Sequence, residues 1–357
     1  MNVKNSKKIN VVDFFCGCGG LSFGFVQAGC KVVLGIDNDG IALKTFMKNH
    51  PGTKILNKDL TESDSVVKIK KILNNKEIDV IIGGPPCQGF SLTGPRNYHD
   101  KRNILYKSIF KTAALFRPKV IVIENVPGLL TLYKGQFKEK ILEDFRKLNY
   151  TVNVKLLCTA DYGIPQLRKR VFFVGLQECY GKYIFPEKTH SPGDYITCSE
   201  AIDDLPSREN EIGEEIDKYD KLPRTTYQKR MRENSNFLYS HVATNHTEYV
   251  KKVISLVPEG GNYKNLPPGV GESRKFNEAW TRYHSNKPSK TIDTGHRNHF
   301  HYKYNRIPTV RENARLQSFP DNFIFFGNKT QQYKQVGNAV SPLLGYHIVN
   351  KLLDYIK

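Results

Sequence analysis

Cys87 stands in the run GGPPCQGFS, directly after two prolines that close the apolar stretch IDVIIGG. Proline fixes φ and removes an N–H donor, so Pro85 and Pro86 make a stiff turn that aims the following side chain. A lone cysteine is by default a small buried hydrophobe. The surroundings argue otherwise, because the next stretch, QGFSLTGPRNYHDKRN, is long and polar, with Gly, Ser and Arg. That composition suits a loop able to fold over a substrate and touch phosphates. Glu124 ends a neighbouring apolar run, KVIVIEN, where it could share a pocket with Cys87; its plainer alternative is a capping or salt-bridged carboxylate. Gln166, Arg168 and Arg170 alternate in QLRKR, and in extended backbone three such side chains emerge on one face. Arginines at that spacing can hold a carboxylate and donate to a carbonyl; the plainer alternative is a solvated basic edge strand.

A second group of residues points to a nucleotide-like cofactor. DFFCGCGGLSFGF puts Gly17, Gly19 and Gly20 between a strand and a helix, where a tight turn lets a ligand approach bare backbone. Asp37 ends the next strand, where a carboxylate can accept from a ribose diol, and Asp59 ends the third, where it can meet an adenine amino group. The pattern fits an adenosine-containing cofactor but leaves NAD and S-adenosylmethionine both open. GCGGLS ends on Ser22 rather than the Gly or Ala of G-x-G-x-x-G, a departure that mildly favours S-adenosylmethionine.

These residues need a scaffold that gathers strand ends on one edge. Short apolar runs alternate with amphipathic stretches through the first half of the chain: INVVDFF, KVVLGID, TKILNKD, IDVIIGG and KVIVIEN as strands, then TVNVKLLC and RVFFVGL. LSFGFVQAG, GIALKTFMKNH, SDSVVKIKKIL with Ser63 as N-cap, NILYKSIFKTAALF and QFKEKILEDFRKL read as helices. This predicts a doubly wound α/β sheet. Near PEKTHSPGDY the pattern dissolves, and a smaller mixed domain rich in turn residues, Lys/Arg, Tyr and His runs to about Pro308, with helical periodicity only around TEYVKKVISLV. Helices return in TVRENARLQSF and QVGNAVSPLLGYHIVNKLLDYI.

The chain of 357 residues is long enough for one large domain or two unequal ones. Its net charge of +19 favours a polyanionic partner, since phosphate neutralisation dominates nucleic-acid affinity, although a lysine-rich composition could also leave a merely basic surface. Seven cysteines without regular pairing predict reduced thiols, with Cys30, Cys158, Cys179 and Cys198 buried or incidental. Cys16 and Cys18 lack a second Cys/His pair at ligand spacing, so no metal is expected. MNVKNSKKIN has basic residues without an apolar signal core, and no run is long enough to span a bilayer, so a cytoplasmic, nucleoid-associated protein without membrane contact is expected.

Taken in order, DFFCGCGG, GGPPCQGFS, ENV, QLRKR, RENARLQSFPD and QVGNAVSP resemble the DNA cytosine-5 methyltransferases, of the prokaryotic restriction–modification type. The resemblance covers nearly the whole chain except about residues 187 to 287. It implies a Rossmann-like S-adenosylmethionine-dependent sheet with a smaller target-recognition domain: residues 1–185 catalytic, 186–305 target recognition, 306–330 a connecting helix, and 331–357 a C-terminal helix returning to the catalytic domain. Cys87 would add to C6 of a cytosine turned out of the duplex, and Glu124 would hold the N3 edge. Arg170 would donate to O2, and Arg168 would orient the carboxylate. Phe15 would stack on the adenine, with Gly17, Cys18 and Gly20 near the methionine part of S-adenosylmethionine. Asp37 would bind the ribose, Asp59 and Leu60 the adenine; Pro86 and Leu105 would line the pocket, and Asn338, Ala339 and Val340 would close it. Asn38 stands on the adenine side where many relatives carry a large apolar residue, and Cys16 is expected to serve packing.

In the middle region, KLPRTTYQKRMRENSNF, TRYHSNKPSKT and DTGHRNHFHYKYNR interleave Arg, His, Tyr and Asn as major-groove readers do, though a basic loop surface would look similar. Gln88, Ser91, Arg102, Gln166, Thr291, His296 and Arg297 are the expected DNA-side residues. Arg311 and Glu312 are expected in internal ion pairs. The expected partner is double-stranded DNA, met by a monomer, with any cognate restriction endonuclease linked genetically rather than bound. Three rival readings carry less: a tRNA methylase of the same fold, which typically has Thr where this chain has Ser91; a non-catalytic DNA binder, which would lack the nucleophile or the acid; and a dehydrogenase, which gives Cys87 no role.

Overall fold

The structure is a computed structural model that describes residues 8–86, 105–270, 279–295 and 298–357. The chain divides into two compact units, one of Met1–Cys158, Lys169–Glu187 and Leu344–Lys357, the other of Thr159–Arg168 and Lys188–Leu343. The second unit thus takes in ten residues, 159–168, expected within the first domain, as well as the segment 306–330 expected to connect domains and residues 331–343 of the expected C-terminal helix.

The first unit is built on seven strands: β1 (Asn10–Phe14), β2 (Lys31–Asp37), β3 (Lys54–Asn57), β4 (Val80–Gly83), β5 (Val120–Asn125), β6 (Tyr150–Cys158) and β7 (Lys169–Gln177). They lie in the order β3-β2-β1-β4-β5-β7-β6. All neighbours are parallel except β7, which runs antiparallel to β5 and β6. Val11, Val12, Phe14, Leu34, Ile36, Val80–Ile82 and Val120–Ile123 are completely buried, as expected for strands covered on both faces. Helices α1 (Gly20–Gln27), α2 (Gly40–Asn49), α3 (Ser65–Leu73), α4 (Lys107–Phe116) and α5 (Gln136–Lys147) connect the strands. α3 starts one residue later than expected of a Ser63 cap: Asp64 precedes it, and the Ser65 hydroxyl donates to Glu62 O at 2.7 Å.

Strand order reverses between β1 and β4, and ligands of such sheets bind in the crevice at the carboxyl ends of the strands beside that point. Gly83 pairs with Phe14 across it, and a Cβ on Gly83 would lie 2.9 Å from Phe14 O. Only glycine lets the two strand ends come this close.

The second unit has little regular structure. Its helices are short: α6 (Cys198–Ile202), α7 (Thr226–Arg232), α8 (Glu248–Ser255), α9 (Val310–Leu316) and α10 (Lys329–Asn338), while α11 (Pro342–Ile356) continues into the first unit. Two pairs of two-residue strands, β8 (Ile216–Asp217) with β9 (Leu238–Tyr239) and β10 (Thr281–Arg282) with β11 (His299–Phe300), complete it. Every residue of α9 is buried. Arg315 donates to Asp204 at 2.6 Å and to both oxygens of Asp321 at 2.9 and 2.7 Å. Arg306 grips Glu312 with two bonds of 2.8 and 2.7 Å, and Arg311 donates to the carbonyls of Tyr239, Pro320 and Phe323. Arg311 and Glu312 are thus committed inside the unit. No described helix is long and apolar enough to cross a membrane.

Removing one partner of a buried pair strands the other charge. Arg315→Met should therefore cost about 3–5 kcal/mol in urea denaturation, by leaving Asp321 with only the more distant Arg311, 3.9 Å away, and Asp204 with only Arg232; a loss under about 1 kcal/mol would contradict this account of the second unit's interior.

Candidate active site

Two clusters meet the carboxyl edge of the sheet in the first unit. The first is the glycine loop after β1. Phe15, Gly17 and Gly19 all have positive φ, at 58°, 52° and 93°. The loop is tied to β2: Cys16 N–H donates to Ile36 O at 3.0 Å and Gly17 N–H to Asp37 Oδ2 at 2.8 Å. Asp37 also takes Asp39 N–H on Oδ1 at 2.9 Å. Burial pushes the Asp37 carboxyl up from its ordinary value, and these N–H groups oppose the shift. Each carboxylate oxygen keeps a second lone pair, so a diol could still be accepted.

Gly17 and Gly19 face different surroundings. No described atom lies within 4 Å of the Cβ position of Gly17, whereas a Cβ on Gly19 would come within 2.3 Å of His50 Cε1 and 2.7 Å of the Phe46 ring. His50 stacks on Phe46 at 4.2 Å, and its Nδ1 bonds Phe46 O at 2.9 Å. Burial lowers its pKa to about 4, so it is a neutral packing surface under the loop. Behind the loop, the Ser22 hydroxyl donates to Asp13 Oδ2 at 2.6 Å. That bond is the physical use of the serine that departs from the dinucleotide pattern. Cys16 and Cys18 are buried; burial pushes the Cys18 thiol up to about 12 and Cys16 well above its usual range, so both stay protonated.

The other cofactor-side candidates are scattered in exposure. Asn38 is exposed and Pro86 half-buried, while Leu60 and Leu105 belong to the apolar core and Gly20 opens α1. Asp59 lies two residues beyond β3, exposed, and accepts from Thr61 N–H at 2.9 Å and the Thr61 hydroxyl at 2.8 Å; the Thr61 backbone bond is the main reason its carboxyl sits below the ordinary value. Asn338, Ala339 and Val340 belong to the second unit, at the end of α10.

The second cluster joins the ends of β4, β5 and β7. Glu124 Oε1 meets Arg170 Nε at 3.0 Å, with the two side chains only 12% and 14% exposed. Burial pulls the Arg170 pKa down and Glu124 holds it up. A Cβ on Gly84 would sit 3.1 Å from Glu124 Oε2, so the carboxylate lies over the backbone that leads into the proline turn. Asn125 fastens that turn: its Nδ2 donates to Pro85 O at 3.1 Å, and its Oδ1 accepts from Val126 N–H at 2.8 Å. Cys87 follows two residues after Pro85 and lies outside the described residues, as do Gln88, Ser91, Arg102, His296 and Arg297.

Two expectations need correction. Arg170, not Arg168, holds the Glu124 carboxylate. Arg168 is 2% exposed in the second unit and donates through Nη1 to Ile292 O at 2.9 Å and through Nη2 to Gly337 O at 2.7 Å. Gln166 is completely buried, its amide bonded to Ile292 N–H, Leu316 O and Gln317, and so has no face left for DNA. The physical reason is that β7 begins only at Lys169, so the alternation expected of one strand does not extend back to residue 166. Thr291 is exposed, its hydroxyl donating to Leu167 O at 2.9 Å. Asp13, His50 and Asn125 were not singled out from the sequence. Asp13 alone carried a readable signal, an acid inside an apolar strand run.

A reversal of strand order with a glycine loop on one side and a buried acid–arginine pair on the other gives a Rossmann-like sheet, and comparison with known proteins assigns it to the S-adenosylmethionine-dependent methyltransferases. Residues 9–354 match the family of C-5 cytosine-specific DNA methylases, and the chain belongs to that family. It is 36% identical to the Type II methyltransferase M.DdeI of Desulfomicrobium norvegicum, across 98% of this chain and 89% of the relative. It is 39% identical to the Type II methyltransferase M1.HphI of Haemophilus parahaemolyticus, across 97% and 87%. A crystal structure of a prophage-encoded E. coli protein assigned as a DNA modification methyltransferase superposes with a TM-score of 0.80 at 27% identity, covering 98% of this chain and 99% of that one. The methyltransferase EhMeth of Entamoeba histolytica, 17% identical with a TM-score of 0.65, shares the fold. The family and these neighbours imply dependence on S-adenosylmethionine, and the space over Gly17 beside Asp37 fits an adenosine-bearing ligand.

Burial raises the Asp13 pKa from 3.8 to about 8, partly opposed by the Ser22 hydroxyl and reinforced by Asp37. The folded state therefore keeps this proton where the unfolded chain has lost it, so stability is full below pH 4 and falls as pH rises toward 8. Asp13→Asn should remove that loss: relative to the wild type it gains up to about 1.4 kcal/mol per pH unit across the window, read by urea denaturation at pH 5, 6, 7 and 8. Parallel curves for the two proteins would contradict the burial assigned to Asp13.

Proposed function

We propose that the protein methylates C5 of one cytosine in a short, specific duplex DNA sequence, as the modification enzyme of a type II restriction–modification pair, through a covalent bond between Cys87 and C6. The observation that carries this reading is the Glu124–Arg170 pair lying over Gly84, at the entrance to the proline turn that bears Cys87.

C5 of cytosine is a weak nucleophile, so the ring must first be activated. The Cys87 thiolate adds to C6, forming the C–S bond as the ring's π electrons shift toward C5. Glu124 meets the N3 edge and donates a proton or hydrogen bond there, which favours that shift. Arg170 fixes the carboxylate; among the described residues it spends Nε on Glu124 and one Nη1 proton on Lys169 O, which leaves donors for the O2 carbonyl. When bound, S-adenosylmethionine would supply an electrophilic methyl group for the electron pair at C5, the sulfonium S–CH3 bond breaking with its electrons left on the sulfur of the departing S-adenosylhomocysteine. A solvent base then removes the C5 proton, and the returning electrons expel the thiolate. Stacked bases hide C6, so the cytosine must leave the duplex. The glycine loop and Asp37 hold the adenosine end, and the +19 charge draws in phosphates. Both units lie on one chain, consistent with action as a monomer.

Incubation with radiolabelled S-adenosylmethionine should label duplex DNA and leave tRNA unlabelled, and Cys87→Ala should lower labelling by at least about 10³-fold. Label persisting in that variant, or appearing in tRNA alone, would overturn the reading. Asn125→Ala, which frees the proline turn, should lower kcat by up to about 100-fold while S-adenosylmethionine binds as before by calorimetry; unchanged kcat would show that the turn needs no such fastening.

A further inference from the structure

Within the second unit, one short piece of backbone is gripped from three sides. Gln166 Oε1 accepts from Ile292 N–H at 3.1 Å, and Arg168 Nη1 donates to Ile292 O at 2.9 Å, so both polar groups of Ile292 are taken by side chains of one strip of chain. Arg168 Nη2 reaches Gly337 O at 2.7 Å, and a Cβ on Gly337 would lie 2.1 Å from Asp293 O, closer than any side chain could approach. The strip and the gripped segment also run as a parallel bridge: Ser289 N–H donates to Pro165 O at 2.9 Å, and Leu167 N–H to Ser289 O at 2.8 Å. Gln166, Arg168, Ser289 and Ile292 are each at most 2% exposed.

The chain on either side of this knot is open. Thr291 and Thr294 are exposed, and Asp293 closes the turn that begins there, taking Gly295 N–H at 3.0 Å and the Asn298 side-chain amide. A buried amide and a buried guanidinium thus hold an exposed, polar, turn-forming segment through its main chain. Side chains that read base edges must be held to about half an ångström, and a main-chain grip does this whatever residues the segment displays.

We infer that Gln166 and Arg168 are positioning residues that set the register of the segment from Thr291 to Thr294, whose two threonines are exposed, against duplex DNA, and so govern which sites are methylated rather than the chemistry at the cytosine. The inference rests on the reading that the second unit contacts the DNA target.

Gln166→Met keeps the length and apolar stem of the side chain and removes the amide. Because a buried variant can fail to fold, Asp293→Ala, in the half-buried turn outside the knot, tests the same segment. Both are compared with the wild type on unmethylated genomic DNA from a methylase-deficient host, with kinetics from radiolabelled S-adenosylmethionine and site choice from per-site sequencing of methylcytosine. The expected result is a KM for DNA raised about tenfold, kcat at saturating DNA within about threefold, and a share of methylation at near-cognate sites raised about tenfold, with Ile292 amide hydrogen exchange at least tenfold faster in Gln166→Met. A kcat lowered about 100-fold with KM and site choice unchanged, or no change of site choice in either folded variant, overturns the inference. A wild type that labels no duplex DNA would instead remove the function on which it rests.

Discussion

Glu124 and Arg170 lose most of their hydration where β5 and β7 end, and their mutual attraction is what makes that loss tolerable. The geometry is set by the antiparallel pairing of β7 with β5. Glu124 pairs with Phe172 and Asn125 with Val171, so Arg170 falls one residue past the last rung and can turn its guanidinium back onto the carboxylate. A parallel strand in that place would bring its opposite end to this edge. The carboxylate in turn lies 3.1 Å from where a Cβ at position 84 would stand, and the following proline turn is tied to Asn125. One ion pair therefore links the sheet's chain direction, a glycine and a proline turn to the position from which Cys87 departs.

The glycine loop answers to a different constraint, in which two glycines face opposite surroundings. Among the described residues no atom lies within 4 Å of the Gly17 Cβ position, while that of Gly19 is filled by a neutral His50 stacked on Phe46. Asp37 supplies the third support by taking two backbone N–H groups, which lets a mostly buried carboxylate stand at the rim.

Much of this was legible because parallel strands buried on both faces read as unbroken apolar runs, and the residues that do chemistry follow those runs directly. Glu124, Asp37 and the glycines could all be assigned to strand ends on that ground. The QLRKR strip shows where such reading stops. Alternation predicts a shared face only within one strand, and nothing local marks that β7 starts at Lys169 while Gln166 bridges Ser289, more than a hundred residues away. His50 was equally hidden, since its role depends on the missing Cβ of Gly19. The partners of α9, Asp204 and Asp321, likewise lie on other stretches of chain, so a helix that reads as charged turns out to be wholly buried.

That burial explains how a unit with so little regular structure can hold one shape. Helices of five to ten residues and strands of two give few side chains in periodic register, so apolar packing alone leaves many arrangements of similar energy. Arginine removes that freedom. Its planar fork offers five donors at fixed angles, and once buried each unmet donor costs free energy. Arg306, Arg311 and Arg315 each bind groups from different stretches of chain, and Arg168 does the same for Ile292 and Gly337. An alternative packing must satisfy all these donors at once, which few can. The excess of basic residues that draws the protein toward phosphate outside thus has a second use inside, where its most rigid members stand in for the missing sheet.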